Sequence, residues 1–161
     1  MQQSSSSFSS KYSSQKKYVF RLKNKNHTEV LISNYGAIIM SFKVKQPDGF
    51  INDIVLGFEK PEDYQTETYL HNYPLFGAAV GRYGNRIKDG KMEIDGKKYQ
   101  LPLNMGSDHL HGGISGFDKK TWDVVLFDDK NNILELNLKS PDGDEGYPGN
   151  LDVFIKFQLN D

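Results

Sequence analysis

From Val19 onward the dominant period of this chain is two. Short runs of alternating apolar and polar residues are interrupted every few positions by turn-forming residues. Successive side chains of a strand point to opposite faces, so each run can bury one face only, which predicts strands and argues against helices. Residues 19–22, 29–32, 37–44, 51–56, 122–127, 133–138 and 151–157 carry the pattern, and Pro47-Asp48-Gly49 marks a turn before the fourth run. Residues 92–94 and 97–101 flank Asp95-Gly96, a pair suited to a type I′ turn, whose positive φ values match the twist of a hairpin. Helix is expected only over 60–69, where Pro61 suits a first helical position and Glu62 and Asp63 suit a helix N-terminus. Many short strands with turns between them predict an all-β, mostly antiparallel sandwich or barrel.

Composition narrows what such a sandwich can do. Ten Phe, nine Tyr and one Trp supply the bulk for a core. Twenty basic against 21 acidic side chains leave a net charge of −1, without the electrostatic footprint of a nucleic-acid or anionic-membrane partner. The lack of cysteine removes disulfides, thiolate nucleophiles and Cys-ligated zinc. Residues 1–15 are serine-rich, cannot offset the entropy of ordering, and are expected to be a disordered tail ahead of a folded unit over 16–161. The tail has no apolar stretch of a secretory signal, and no run approaches the ~18 apolar residues of a membrane span. A cytoplasmic chain is expected, which makes the Asn26-His27-Thr28 sequon a chance match.

Three segments carry candidate chemistry. Gly77 to Ile87 reads GAAVGRYGNRI, rich in glycines that permit bends and close approach. If extended, it places Arg82 and Arg86 on one face, either as surface charges or, with Asn85, as donors to a polar ligand. Asp108-His109-Leu110-His111-Gly112-Gly113 offers histidines at i and i+2. These are ordinary polar residues at a strand end, a metal pair if His71 or Asp108 converges, or one histidine facing a cleft as donor or proton shuttle. Ser140 to Gly149 reads SPDGDEGYPG, whose Asp142, Asp144 and Glu145 are half a calcium loop without its remaining ligands. A rigid turn displaying Tyr147 is the better fit.

The ordered series GRYGNRI, LHGG, GFDKKTW and SPDGDEGYPG, with the Asp-Gly hairpin between the first two, resembles the galactose mutarotase (aldose 1-epimerase) family from about Tyr35 to the last residue. The resemblance implies a galactose-mutarotase-like antiparallel β-sandwich, here an incomplete N-terminal portion, with a sugar cleft on one sheet. It implies interconversion of the α and β anomers of free galactose or glucose with no cofactor and no metal. Asn85 and Arg86 match the family's sugar-contacting pair, and His111 its first active-site histidine, an auxiliary catalytic and substrate-binding group. His109 has no such counterpart, and Arg82, Tyr147 and the SPDGDEGYPG loop match scaffold around the cleft. The family's acid, a histidine, and its base, a glutamate, fall beyond Asp161.

Two expectations of different class follow. In one, the chain is part of an aldose 1-epimerase acting in hexose metabolism, inactive as this piece alone. In the other, it is a non-catalytic sugar-binding or protein-interaction fragment.

Overall fold

The computed structural model describes Tyr12 and residues 16–161. The first four strands, β1 (Val19–Lys23), β2 (Glu29–Ser33), β3 (Ile38–Lys45) and β4 (Ile51–Asp53), form one antiparallel sheet in sequence order. In β1 the alternation is literal, with Phe20 and Leu22 buried while Val19, Arg21 and Lys23 face outward. The expected fourth run stops at Asp53 and does not reach Leu56. Asp53 takes the place of the ladder there, its Oδ1 accepting the N–H groups of Phe42 and Val55 while its Oδ2 takes the Ser41 hydroxyl.

The helical expectation is met in two pieces, a 3-10 turn over Pro61–Gln65 and α1 (Glu67–Asn72). Thr66 divides them with an extended backbone, and its side chain accepts from the Tyr69 N–H as a helix cap. Then come β5 (Arg86–Ile87), β6 (Lys91–Ile94), β7 (Lys97–Gln100) and β8 (His109–Leu110). β6 pairs with β7 through Asp95 and Gly96, both at positive φ as the hairpin turn requires, and β5 pairs with β8. Finally β9 (Asp123–Asp128), β10 (Ile133–Ser140) and β11 (Leu151–Gln158) make an antiparallel sheet with β10 in the middle.

The two larger sheets face each other. Phe20, Leu22, Val30 and Ile32 of the first meet Val124, Leu134, Leu136 and Leu138 of the second, with Trp122 wholly buried between them. Burying side chains of this size contributes about 1.5–3 kcal/mol each, which makes this layer the main source of stability. The opposite face of β2 and β3 is covered as well. Ile38 and Met40 pack there with Tyr35 and Tyr64, against Leu31, Tyr69 and Phe76. The sheets are joined at one corner by backbone bonds, Trp122 N–H to Asn34 O at 2.8 Å and Gly36 N–H to Lys120 O at 2.8 Å.

Tyr12, within the serine-rich stretch, sets its ring edge-on to Tyr18 and Phe20 at centroid distances of 5.0 and 5.3 Å. The rest of the expected tail over 1–15 lies outside the described residues. Among the described residues no helix is long and apolar enough to cross a membrane. No strand among them pairs with the far edge of β11, whose outward Phe154 is 70% exposed.

Candidate functional site

The short β5–β8 pair sets Arg86 opposite Leu110 and Ile87 opposite His109, so GRYGNRI and the His109–His111 segment meet. Asn85 precedes β5 with φ 72° and His111 follows β8 with φ 50°. The two residues close a ring of bonds. The His111 N–H donates to Asn85 O at 3.1 Å, and the Asn85 N–H donates to His111 Nδ1 at 3.0 Å. A backbone N–H can only donate, so Nδ1 is the acceptor and the ring proton of neutral His111 sits on Nε2. The imidazole is thereby aimed as a hydrogen-bond donor through Nε2.

Asn85 Oδ1 accepts the Arg86 N–H at 2.9 Å, which fixes the amide orientation. Arg86 is exposed, and its Nε lies 3.9 Å from Asp108 Oδ2. A pair that long and that solvated contributes little, and the guanidinium keeps donors for a ligand. Arg82 goes elsewhere. The segment is not extended between the arginines, and the guanidinium of Arg82 reaches Ser140 Oγ, Ser140 O, Pro141 O and Pro148 O at 2.8–3.0 Å. The two arginines therefore serve different partners rather than one face.

His109 and His111 also part company. His109 is fully buried, with Nδ1 2.7 Å from Pro102 O and Nε2 2.7 Å from the Tyr147 hydroxyl. The carbonyl accepts, so Nδ1 carries the proton and Nε2 accepts from Tyr147, the opposite tautomer to His111. Burial, with the nearby Glu145 charge, pushes the Tyr147 phenol up to about 12, which keeps it a donor.

The three carboxylates of SPDGDEGYPG are each engaged by protein groups. Asp142 Oδ1 takes the Gly149 N–H. Asp144 meets Lys120 Nζ at 2.7 Å and the Ser140 hydroxyl. Burial opposes its ionisation, but these bonds and the Lys120 charge prevail and hold its carboxyl below the ordinary value. Glu145, at φ 51°, accepts the Ile114 N–H on Oε2 and the Ser115 N–H on Oε1, both at 2.9 Å. Among the described residues no three His, Asp or Glu side chains gather as a metal site.

A second charged group lies beside His111. Tyr73, the left-handed cap of α1, has its ring 6.4 Å from that of His111. Lys119 Nζ sits 4.2 Å above the Tyr73 ring and 2.7 Å from Asp118 Oδ2. Burial pushes Asp118 up despite the Lys119 hydrogen bond and charge. Burial, with the Asp118 and Glu145 charges, raises the Tyr73 phenol as well. A hollow of about 250 Å³ lined by His71, Tyr73, Asn104, Gly113, Ile114 and Lys119 opens alongside. A larger one of about 700 Å³, between Lys23–Lys25 and Asp129–Asn132, contains none of the expected site residues. Sequence reasoning did not find Tyr73, Asp118, Lys119 or the carboxylate role of Glu145. The GFDKKTW and SPDGDEGYPG motifs contain Asp118, Lys119 and Glu145, but nothing in them assigns these residues a role beside His111.

The chain is an antiparallel two-sheet sandwich whose irregular segments converge on a paired histidine and asparagine, and its likeness to solved structures makes the fold galactose-mutarotase-like. The chain belongs to the aldose 1-epimerase family, whose model matches residues 18–161. It is 43% identical to galactose mutarotase of Bos taurus over 129 residues, 80% of this chain and 35% of that protein. It is 35% identical to aldose 1-epimerase of Escherichia coli over 140 residues, 87% of this chain and 38% of that protein. Among solved structures, an aldose epimerase homologue from C. elegans superposes with a TM-score of 0.82 at 26% identity, covering 91% of this chain and 43% of that one. Galactose 1-epimerase from Lactobacillus acidophilus gives 0.73 at 33% identity, over 88% of this chain and 40% of that one. The chain thus spans well under half the length of these relatives.

Proposed function

We propose that this chain carries part of the sugar-binding face of an aldose 1-epimerase, acting on free hexoses such as galactose and glucose in the cytoplasm. The observation that carries the reading is the Asn85–His111 ring of hydrogen bonds, which puts the ring proton of His111 on Nε2 as a donor. Opening a pyranose needs a proton taken from the anomeric hydroxyl and one delivered to the ring oxygen. A fixed N–H near that oxygen stabilises the charge developing there. Arg86 and the Asn85 amide add donors suited to hydroxyls, and their neutral-to-cationic character fits a polar, uncharged substrate. Proton transfers alone complete the chemistry, so no metal or organic cofactor enters the reading.

The principal acid and base belong, on this reading, to residues other than those of this chain. Glu135 lies on β10 with Lys156 Nζ 3.5 Å away, and both oxygens of Glu145 are taken by backbone donors. Titration of the chain with galactose followed by NMR, together with polarimetry of freshly dissolved α-galactose, tests both parts. Expected are saturable shifts at Asn85, Arg86 and His111 that His111→Ala abolishes, with no mutarotation above buffer. Absence of any shift would sink the sugar site, whereas acceleration lost in His111→Ala would overturn the placing of acid and base elsewhere.

A further inference from the structure

We propose that Glu145 is a positioning residue for His111, its carboxylate fixing the backbone of the segment that carries the imidazole. His111, Gly112 and Gly113 have φ values of 50°, 86° and 102°, three successive residues in a region where side chains are disfavoured. Such a stretch keeps one conformation only when surrounding groups impose it. Two do. On one side Gly112 lies against the backbone of Gly81, so closely that an added Cβ would sit 1.6 Å from Gly81 O. On the other side Gly113 lies against Glu145, where a Cβ would meet Oε2 at 2.2 Å, and the same carboxylate receives the next two N–H groups in the chain.

Here the two neighbouring N–H groups point at separate oxygens, each at 2.9 Å, and an ionised carboxylate offers both with charge assistance. Glutamine supplies one, and its amide N–H₂ opposes the second donor. Glu145 is itself presented from a loop fixed by the four Arg82 bonds and by the Lys120–Asp144 pair. The line of support therefore runs from Arg82 through the 140–149 loop and Glu145 to the 111–115 segment. There it sets the direction of a ring whose other nitrogen is held by Asn85. With both oxygens engaged, Glu145 acts through His111 and not on the substrate.

The functional half of this inference rests on the sugar-site reading, and the test separates the two. In the full chain, long-range ¹H–¹⁵N correlation reads the His111 tautomer, and hydrogen exchange reads the Ile114 and Ser115 amides. The wild type is expected to show the Nε2–H tautomer and protected amides. Glu145→Ala should mix the tautomers, speed exchange at both amides by about tenfold or more, and weaken galactose binding by about tenfold, with Glu145→Gln between. Unprotected amides in the wild type overturn the proposal without any variant. So does an alanine or glutamine variant with His111 tautomer and amide exchange within about twofold of wild type. If the alanine variant does not fold, the glutamine variant alone decides. Changes at His111 in a chain whose wild type ignores galactose would refute the sugar reading and leave the positioning intact.

Discussion

Replacing Arg82 with alanine removes one guanidinium that holds four oxygens of the 140–149 loop, with Nε on Ser140 Oγ, Nη1 on Pro148 O, and Nη2 on Ser140 O and Pro141 O. It also removes a cation 5.9 Å from the Tyr147 ring. Hydrogen bonds from a charged donor contribute about 1.5–3 kcal/mol each. The four do not add, because they share one side chain and the Pro141 bond lies at the surface, where water replaces it. The expected loss is therefore about 2–4 kcal/mol. Trp122 is the single tryptophan and fully buried, so its fluorescence reports urea unfolding directly. With a urea slope of about 2 kcal/mol/M, the midpoint should fall by about 1–2 M at unchanged slope. Arg82→Lys keeps the charge, but its single nitrogen cannot span the same acceptors, and it should recover less than half. A loss below about 0.5 kcal/mol in Arg82→Ala, the range of ordinary surface changes, would refute the clamp.

Four further outcomes follow from the structure. Gly112→Ala forces a Cβ onto Gly81 O and should cost at least about 3 kcal/mol or abolish folding. Gly49→Ala, at φ 91° with open space around it, should cost only about 1 kcal/mol, and thermal melts compare the two. Tyr147→Phe leaves Nε2 of buried His109 without its donor and should lower stability by about 1–3 kcal/mol in urea, with no loss of the His111 tautomer signal. For Asp144 the folded state holds the carboxylate below its ordinary value. The stabilisation is complete above the ordinary range near 3.8 and is lost as pH falls through the lower folded value. Asp144→Asn should therefore flatten the acid limb of stability against pH, and an unchanged acid limb would contradict the Lys120 pairing.

Strand positions were legible because burial on a single face writes itself into alternation. Phe20 and Leu22, or Leu134, Leu136 and Leu138, show their inward side in the sequence alone. What failed was local competition. Asp53 spends its carboxylate on the Phe42 N–H of β3, which would have continued the ladder with β4, and Thr66 caps a helix where the pattern ran on. In the candidate site, order and motif identity pointed to Asn85, Arg86 and His111. The pairing of Asn85 with His111, however, is made by a backbone N–H, which every residue carries and no composition reveals. Glu145 was hidden for the same reason, since its partners are main-chain amides some 30 residues away. Arg82 and Arg86 share a spacing that reads as one face only if the backbone stays extended. A left-handed Asn85 ends that assumption.

The Arg82 clamp also orders events in time. Chain synthesis delivers Arg82 early, but its most distant acceptor, the Pro148 carbonyl, lies 66 residues further on. Closing so long a loop is slow compared with zipping a hairpin such as β6–β7. The His111 segment therefore has no stable seat until the turn after β10 has emerged and docked. A nascent chain halted before Gly149 would have the residues of the β5–β8 pair and of the Asn85–His111 ring, but not the completed clamp of the 140–149 loop.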